Sequence, residues 1–456
     1  MLKDPNDFAY IPFSLNEMQM SAAEKPSLQR KLGPLMLWGL GVGYVISGMY
    51  FGWNLGLEQG GTLGLGVATL FIILMYVTFT FSYTEMACAI PKAGGAFDYA
   101  IKGMGRNWGF FAGMAQNIEF IFAPPAIAFA IGAYLSLFYP EIRIEYFAMG
   151  AYLIFTALNI SGVKVAASFE LVITVIAVFE LLLFAGAVAP DFEMANLSKN
   201  PLPNGWGGAF AAIPFAIWFF LAIEGVANVA EETINPQRNI LIGFGSAILT
   251  LVVLCILTFT TSIGVNGWES IVFDETGATS DAPLPMAIGH ALGTNSWLFK
   301  AVGVIGLFGL IASFHGIILA SGRATYEFSK EGFAPPFLAR IHPKFRTPTN
   351  ALILNTLIGI LAIWTGKTGE IITIACFGAL SLYIISMIAF LKLRKDHEAM
   401  ERPFKVPFYP YTPIIALVIA SVALVSITVY NPTLALIYVG ILALTYGGYL
   451  MVSRKD

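Results

Sequence analysis

Long apolar stretches separated by short polar ones dominate this chain. Apolar runs fall at 35–57, 64–90, 108–138, 145–160, 169–189, 209–229, 241–264, 298–326, 350–365, 370–391, 413–430 and 433–452, twelve in all. Crossing about 30 Å of hydrocarbon takes roughly 20 helical residues, which most of these runs hold; those at 145–160 and 350–365 are short. Lipid offers the backbone no hydrogen bonds, so each run predicts a helix. Residues 1–33 are polar, with acidic and basic groups mixed and no short apolar core, and read as a cytoplasmic tail. The longest loop on the predicted outer side, 265–297, contains an apolar stretch, Met286 to Leu292, that reads equally as a gate or as a surface loop.

Composition narrows the class. The 456 residues are 57% hydrophobic and 12% charged, where a soluble domain holds about 45–50% and about 25%. Mean hydropathy is +0.74. These values exclude a soluble enzyme, a disordered chain and a disulfide scaffold, and predict an all-α membrane protein of twelve transmembrane helices. A net charge of -3 gives no case for nucleic-acid binding. Cys88, Cys255 and Cys376 lie in apolar runs and read as small buried hydrophobes. Neither a metal-ligand spacing nor a nucleophile arrangement emerges, so no metal, no cofactor and no catalytic residue is expected.

The placement of charge sets the orientation. With the N-terminus inside, only Arg143, Lys199, Lys300 and Lys367 of the 25 Lys and Arg face outside; the other 21 lie inside. That asymmetry predicts an even number of spans with both termini cytoplasmic.

Two spans break the pattern of a continuous helix. The first contains Gly39, Gly41, Gly43, Gly48 and Gly52, and glycine costs about 1 kcal/mol in a helix relative to alanine. Such a run marks either close packing or a local unwinding. The sixth carries Glu224 next to Gly225 in mid-span, where a carboxylate must face a cavity or a partner. Interrupted spans at corresponding positions in two halves mark the binding site of repeat-built transporters.

A set of short motifs adds a family resemblance. Glu85-Met86-Ala87, Pro91-Lys92-Ala93-Gly94-Gly95, Glu231-Glu232 with Asn235-Pro236-Gln237-Arg238, and Ser321-Gly322-Arg323 belong to it. So do Lys330-Glu331-Gly332-Phe333-Ala334-Pro335, His342-Pro343-Lys344, and Arg402-Pro403-Phe404 with Val406-Pro407. Together they resemble the amino acid–polyamine–organocation (APC) transporters over about 34–410, and Val45 to Gly61 looks most like ethanolamine permeases. The resemblance implies a LeuT-like 5+5 inverted repeat with broken helices 1 and 6. It also implies a plasma (inner) membrane location and a fold core over 34–410, with the last two helices and a short cytoplasmic tail in 411–456.

Family members that carry amino acids show Gly-Ser/Thr-Gly at the first break, where freed amides bind the substrate carboxylate. Here the triplet is Ser47-Gly48-Met49. A side chain replaces the last glycine, which favours a substrate without an α-carboxylate unless Met49 points into packing. Glu224 calls for an ammonium, and Trp218, Phe220 and Tyr44 offer aromatic faces worth about 0.5–2 kcal/mol each to a cation. Trp218 and Glu224, six apart, converge only if the helix breaks between them, which the resemblance places near Leu221 to Gly225. Ala222 at that break, with Ser47, Gly48 and Met49, completes the expected binding surface. Trp-x5-Glu also looks like cationic amino acid exchangers.

Glu119, with Gln116 on its face, Glu180 and His315 are the candidates for coupling to a proton or another ion. The bland reading of each is an interhelical contact. Glu85 and Glu170 lie near the predicted cytoplasmic interface and read as structural or gate groups. The sequence thus predicts a secondary transporter taking up a small amino alcohol such as ethanolamine by alternating access, with H+ as the expected coupling ion. The alternatives are an amino acid or polyamine carrier of the same fold and, more remotely, a membrane sensor that binds amines without moving them.

Overall fold

The computed structural model describes residues 30–92, 94–161 and 166–453. Most of the predicted tail, Ala93, Lys164 and the last three residues lie outside the described residues.

Helices cover the apolar runs. Among the described residues nine are long and apolar enough to cross a membrane, including Leu55–Ala89, Arg106–Ser136, Pro236–Asn266, Trp297–Lys330 and Thr368–Asp396. Shorter apolar helices, Pro34–Val45, Ile144–Ile160 and Thr349–Ile363, stand at the first, fourth and ninth runs. The molecule is therefore an all-helical membrane protein. Its segments are numbered here by the apolar run they occupy.

Burial sorts the segments by depth. The sixth, Ile213–Glu232, is 89% buried over its apolar window, whereas the last, Pro432–Met451, is 17% buried. Large apolar side chains such as Leu70, Phe179, Leu249, Leu361 and Leu444 are exposed along the outer helices, as a lipid-facing surface requires. The third segment packs most extensively on the tenth and eighth. The fifth packs on the eighth, the first on the seventh, and the second on the sixth.

The long loop after the seventh segment is ordered by its apolar stretch. It contains the helix Pro283–Leu292, which buries Leu284, Ala287 and Ile288 against the fifth, seventh and eighth segments.

Candidate functional site

The first segment is helical as Pro34–Val45 and Ser47–Tyr50. The chain then extends at Phe51 (φ -161, ψ 174), and Gly52 turns it with φ +84. Helix resumes at Leu55 and continues to Ala89, with a kink at Gly61, φ 60, that separates the end of the first segment from the second. The extended residues thus fall just after Ser47-Gly48-Met49 rather than on it. Two side chains hold them. Asn54 accepts from the Gly52 amide (3.1 Å) and donates to the Ile271 and Ser280 carbonyls. Trp53 Nε1 donates to the Met49 carbonyl at 3.2 Å.

The amides near the triplet are engaged. Ser47 N–H donates to Ser313 Oγ (2.9 Å), and Ser313 in turn donates to the Gly43 carbonyl at 2.6 Å. Met49 N–H is bonded to the Ile46 carbonyl (2.9 Å). Gly48 sits against the sixth segment: a Cβ there would run into the Trp218 carbonyl oxygen. Met49 itself is fully buried.

The sixth segment is α-helical over Ile213–Trp218, turns through Phe219 to Ala222, and continues as a 3-10 helix over Ile223–Glu232. Ala222 has φ +73, a left-handed conformation that a non-glycine residue adopts only when the surroundings hold it there. Glu119 of the third segment supplies that hold, its Oε1 accepting from the Ala222 amide at 3.1 Å. The break therefore separates Trp218 from Glu224, as their spacing requires.

Below the break four acidic and phenolic groups meet. Tyr383 of the tenth segment donates to Glu224 Oε2 (3.0 Å), and its hydroxyl lies 3.2 Å from that of Tyr76. The Glu119 and Glu224 carboxyls stand beside one another, both wholly buried. Glu224 Oε1 and Glu119 Oε2 have no hydrogen-bond donor among the described residues. No Lys, Arg or His among the described residues forms an ion pair with either carboxyl. Phe220 closes the group, its ring 5.2 Å from that of Tyr76. Trp218 turns the other way, edge-on to Phe51 at 5.4 Å, with its Nε1 unpartnered. Tyr44 lies over Gly225, where a Cβ would sit 2.9 Å from its ring. Two carboxyls in mutual contact share either a proton or a cation, so the cluster can accept one positive charge.

The other polar candidates lie apart from this cluster. Gln116 donates to Asn228 at 3.4 Å. Glu180 is buried beside Tyr50, whose hydroxyl goes to the Ala177 carbonyl (2.9 Å). His315 pairs with Glu170 of the fifth segment at 3.5 Å. Tyr383, Tyr76 and Asn54 were not singled out from the sequence, because each earns its place only through a partner more than 140 positions away in one contact or another.

Several family-like motifs become ion pairs on one face. Glu85 binds Arg394 (2.7 Å) and Arg402 (3.3 Å), and also accepts from the Val406 amide at 2.7 Å. Arg323 binds Glu232 at 2.9 Å, joining the eighth segment to the end of the sixth. The opposite face holds a vestibule of about 930 Å³ lined by Glu58, Arg143, Phe215, Asp281, Lys367 and Thr373, among others; Glu224 is not part of its lining. Two of its charge pairs are internal, Arg143–Glu145 at 2.9 Å and Lys367–Glu370 at 2.7 Å. Asp281 accepts from Thr368 (2.8 Å), and burial pushes its carboxyl up to about 6.

Comparison with known proteins places the chain. The profile of a family described as amino acid permease matches residues 32–447. An uncharacterized transporter of Rhizobium meliloti is 27% identical over 88% of this chain and 88% of its own length. The branched-chain amino acid permease of Bacillus subtilis is 24% identical over 89% of each chain. The methylthioribose transporter of the same organism is 25% identical over 88% of this chain and 89% of its own.

Proposed function

The chain belongs to the amino acid permease family, and within that family we propose that it carries a small amino alcohol, ethanolamine, across the plasma membrane, with H+ as the coupling ion. Membership makes it a multi-pass membrane transporter of small molecules, not an enzyme. The finer reading rests on Glu224: a buried carboxylate at a helix break, with an unpaired oxygen and no basic partner among the described residues. Burying a lone carboxylate costs several kcal/mol unless a cation or proton accompanies it. The ammonium of the substrate meets Glu224, with Tyr44 and Phe220 beside it. Glu119 holds the break open through the Ala222 amide.

The engaged amides support a substrate without an α-carboxylate. A carboxylate at the first break would need N–H groups, and those of Ser47, Met49 and Gly52 are already bonded within the protein. The substrate hydroxyl is assigned to Ser47 or to carbonyls freed at the breaks. The methylthioribose transporter is a relative whose name specifies no amino acid. Names such as branched-chain amino acid permease favour the second reading, an amino acid carrier of the same fold.

Transport proceeds by alternating access. The segment contacts support the twelve-helix, 5+5 arrangement: first with seventh is answered by sixth with second, and third with tenth by eighth with fifth. Ion pairs joining segments on one face and a vestibule on the other support reading this conformation as one shut toward the cytoplasm. Purified protein in liposomes is expected to accumulate labelled ethanolamine saturably. Uptake equal to that of protein-free liposomes refutes the proposal, and competition by alanine as strong as that by ethanolamine favours the amino acid carrier.

A further inference from the structure

Between the substrate cluster and the ion-paired face lies a second buried pair that the binding of an amine does not use. Glu170 and His315 are 2% and 4% exposed, and His315 Nδ1 lies 3.5 Å from Glu170 Oε2. The edges of Phe155 and Phe169 enclose the imidazole. Glu170 Oε1 has no hydrogen-bond donor among the described residues. It is aimed at the first segment, where a Cβ on Gly43 would fall 2.5 Å from it. We propose that Glu170 and His315 form the proton-binding site that couples transport to a proton gradient. This inference rests on the transport reading above and names its coupling site.

Charge accounting gives the pair its properties. With one proton on the pair, as carboxylate and imidazolium or as acid and imidazole, it is neutral. Without it, the pair leaves one carboxylate charge in a dry environment, which costs several kcal/mol. The proton is therefore held while the site is closed and given up when water reaches it. The step transfers one proton from water on one side to the pair and from the pair to water on the other; nothing is oxidised or reduced.

The neighbours tie this proton to the substrate site. Ser313, two residues before His315, bridges the Gly43 carbonyl and the Ser47 amide. Tyr44 lies between Gly316 and Gly225, the residue after Glu224. Thr174, one turn from Glu170, donates to the Gly39 carbonyl at 3.2 Å. Segment four contributes the Phe155 ring and Asn159, which donates to the His315 carbonyl (3.5 Å). Arg323 and Glu232, paired with each other, act electrostatically on the neighbouring Tyr44, as Glu170 does. Losing the proton leaves a charged oxygen against the first-segment backbone at Gly43.

The test uses the full chain in proteoliposomes. In Glu170→Gln and in His315→Asn, ethanolamine affinity and ethanolamine exchange at equal pH stay within about twofold of wild type. Accumulation driven by an imposed pH gradient is lost in both, while Glu180→Gln retains it. Gradient-driven accumulation that survives in both pair variants overturns the inference. Should a variant fail to fold, an internal pH dye in the wild type decides: ethanolamine uptake that moves no proton overturns the coupling site but leaves amine binding standing. A wild type that binds no amine overturns the transport reading itself.

Discussion

At the scale of single residues the account turns on unequal partners for two carboxyls. Glu119 spends one oxygen on the Ala222 amide, and Glu224 spends one on Tyr383. Replacing Glu224 by Gln removes the charge opposite the ammonium. Breaking a buried ion pair costs about 3–5 kcal/mol, so affinity is expected to fall at least about 100-fold in calorimetric titration. Tyr383→Phe keeps the ring and deletes the donor. A hydrogen bond to a charged group contributes about 1.5–3 kcal/mol, and part of it is recovered when the ammonium binds, so a loss of roughly 10-fold is expected. An unchanged affinity in Tyr383→Phe would show that the phenol does not orient Glu224. Asp281 makes a pH prediction. Its folded-state value of about 6 lies above its ordinary 3.8, so the folded protein holds a proton that the unfolded chain has released. That stabilisation is full below about pH 3.8 and lost as the pH rises through about 6. Asp281→Asn, which mimics the protonated group, is expected to raise the Tm of detergent-solubilised protein at pH 7, with the gap closing toward pH 4.

At the scale of elements, the two broken segments are locked through glycine. Gly48→Ala would press a Cβ into the Trp218 carbonyl, so uptake is expected to fall by an order of magnitude or more with membrane expression retained. Gly150→Ala, with nothing within 4 Å of its added Cβ, is expected to leave uptake unchanged. The break in the sixth segment was legible because a carboxylate in an apolar run has few explanations. That in the first was harder to place, because its glycines serve different ends. Gly39 and Gly41 make room for Leu171 and Ala247, and only Gly52 has the positive φ of a turn. Asn54, which holds that turn, looks in sequence like any polar residue near a span end. Glu170 reads as an interface group because it lies in the first turns of its helix; its burial shows only through His315, 145 positions away.

At the scale of the whole molecule, the motifs that signalled a family resolve into a closed face. Glu85 with Arg394 and Arg402, and Arg323 with Glu232, join different segments, and the vestibule opens on the opposite side. The proposed twelve-span topology, with both termini inside, would put Lys367 outside and Lys395 inside. Cys88, Cys255 and Cys376 are buried, so single cysteines can be read against a low background. A membrane-impermeant thiol reagent applied to intact cells is expected to label K367C and spare K395C; the reverse pattern would invert the topology. The most direct measurement of the central claim is a binding panel on purified protein: ethanolamine, choline, alanine, arginine and putrescine, each against wild type and Glu224→Gln. Saturable ethanolamine binding, weak or no binding of alanine, and loss of the ethanolamine signal in the variant are expected. Wild-type affinity for ethanolamine in Glu224→Gln would contradict the claim.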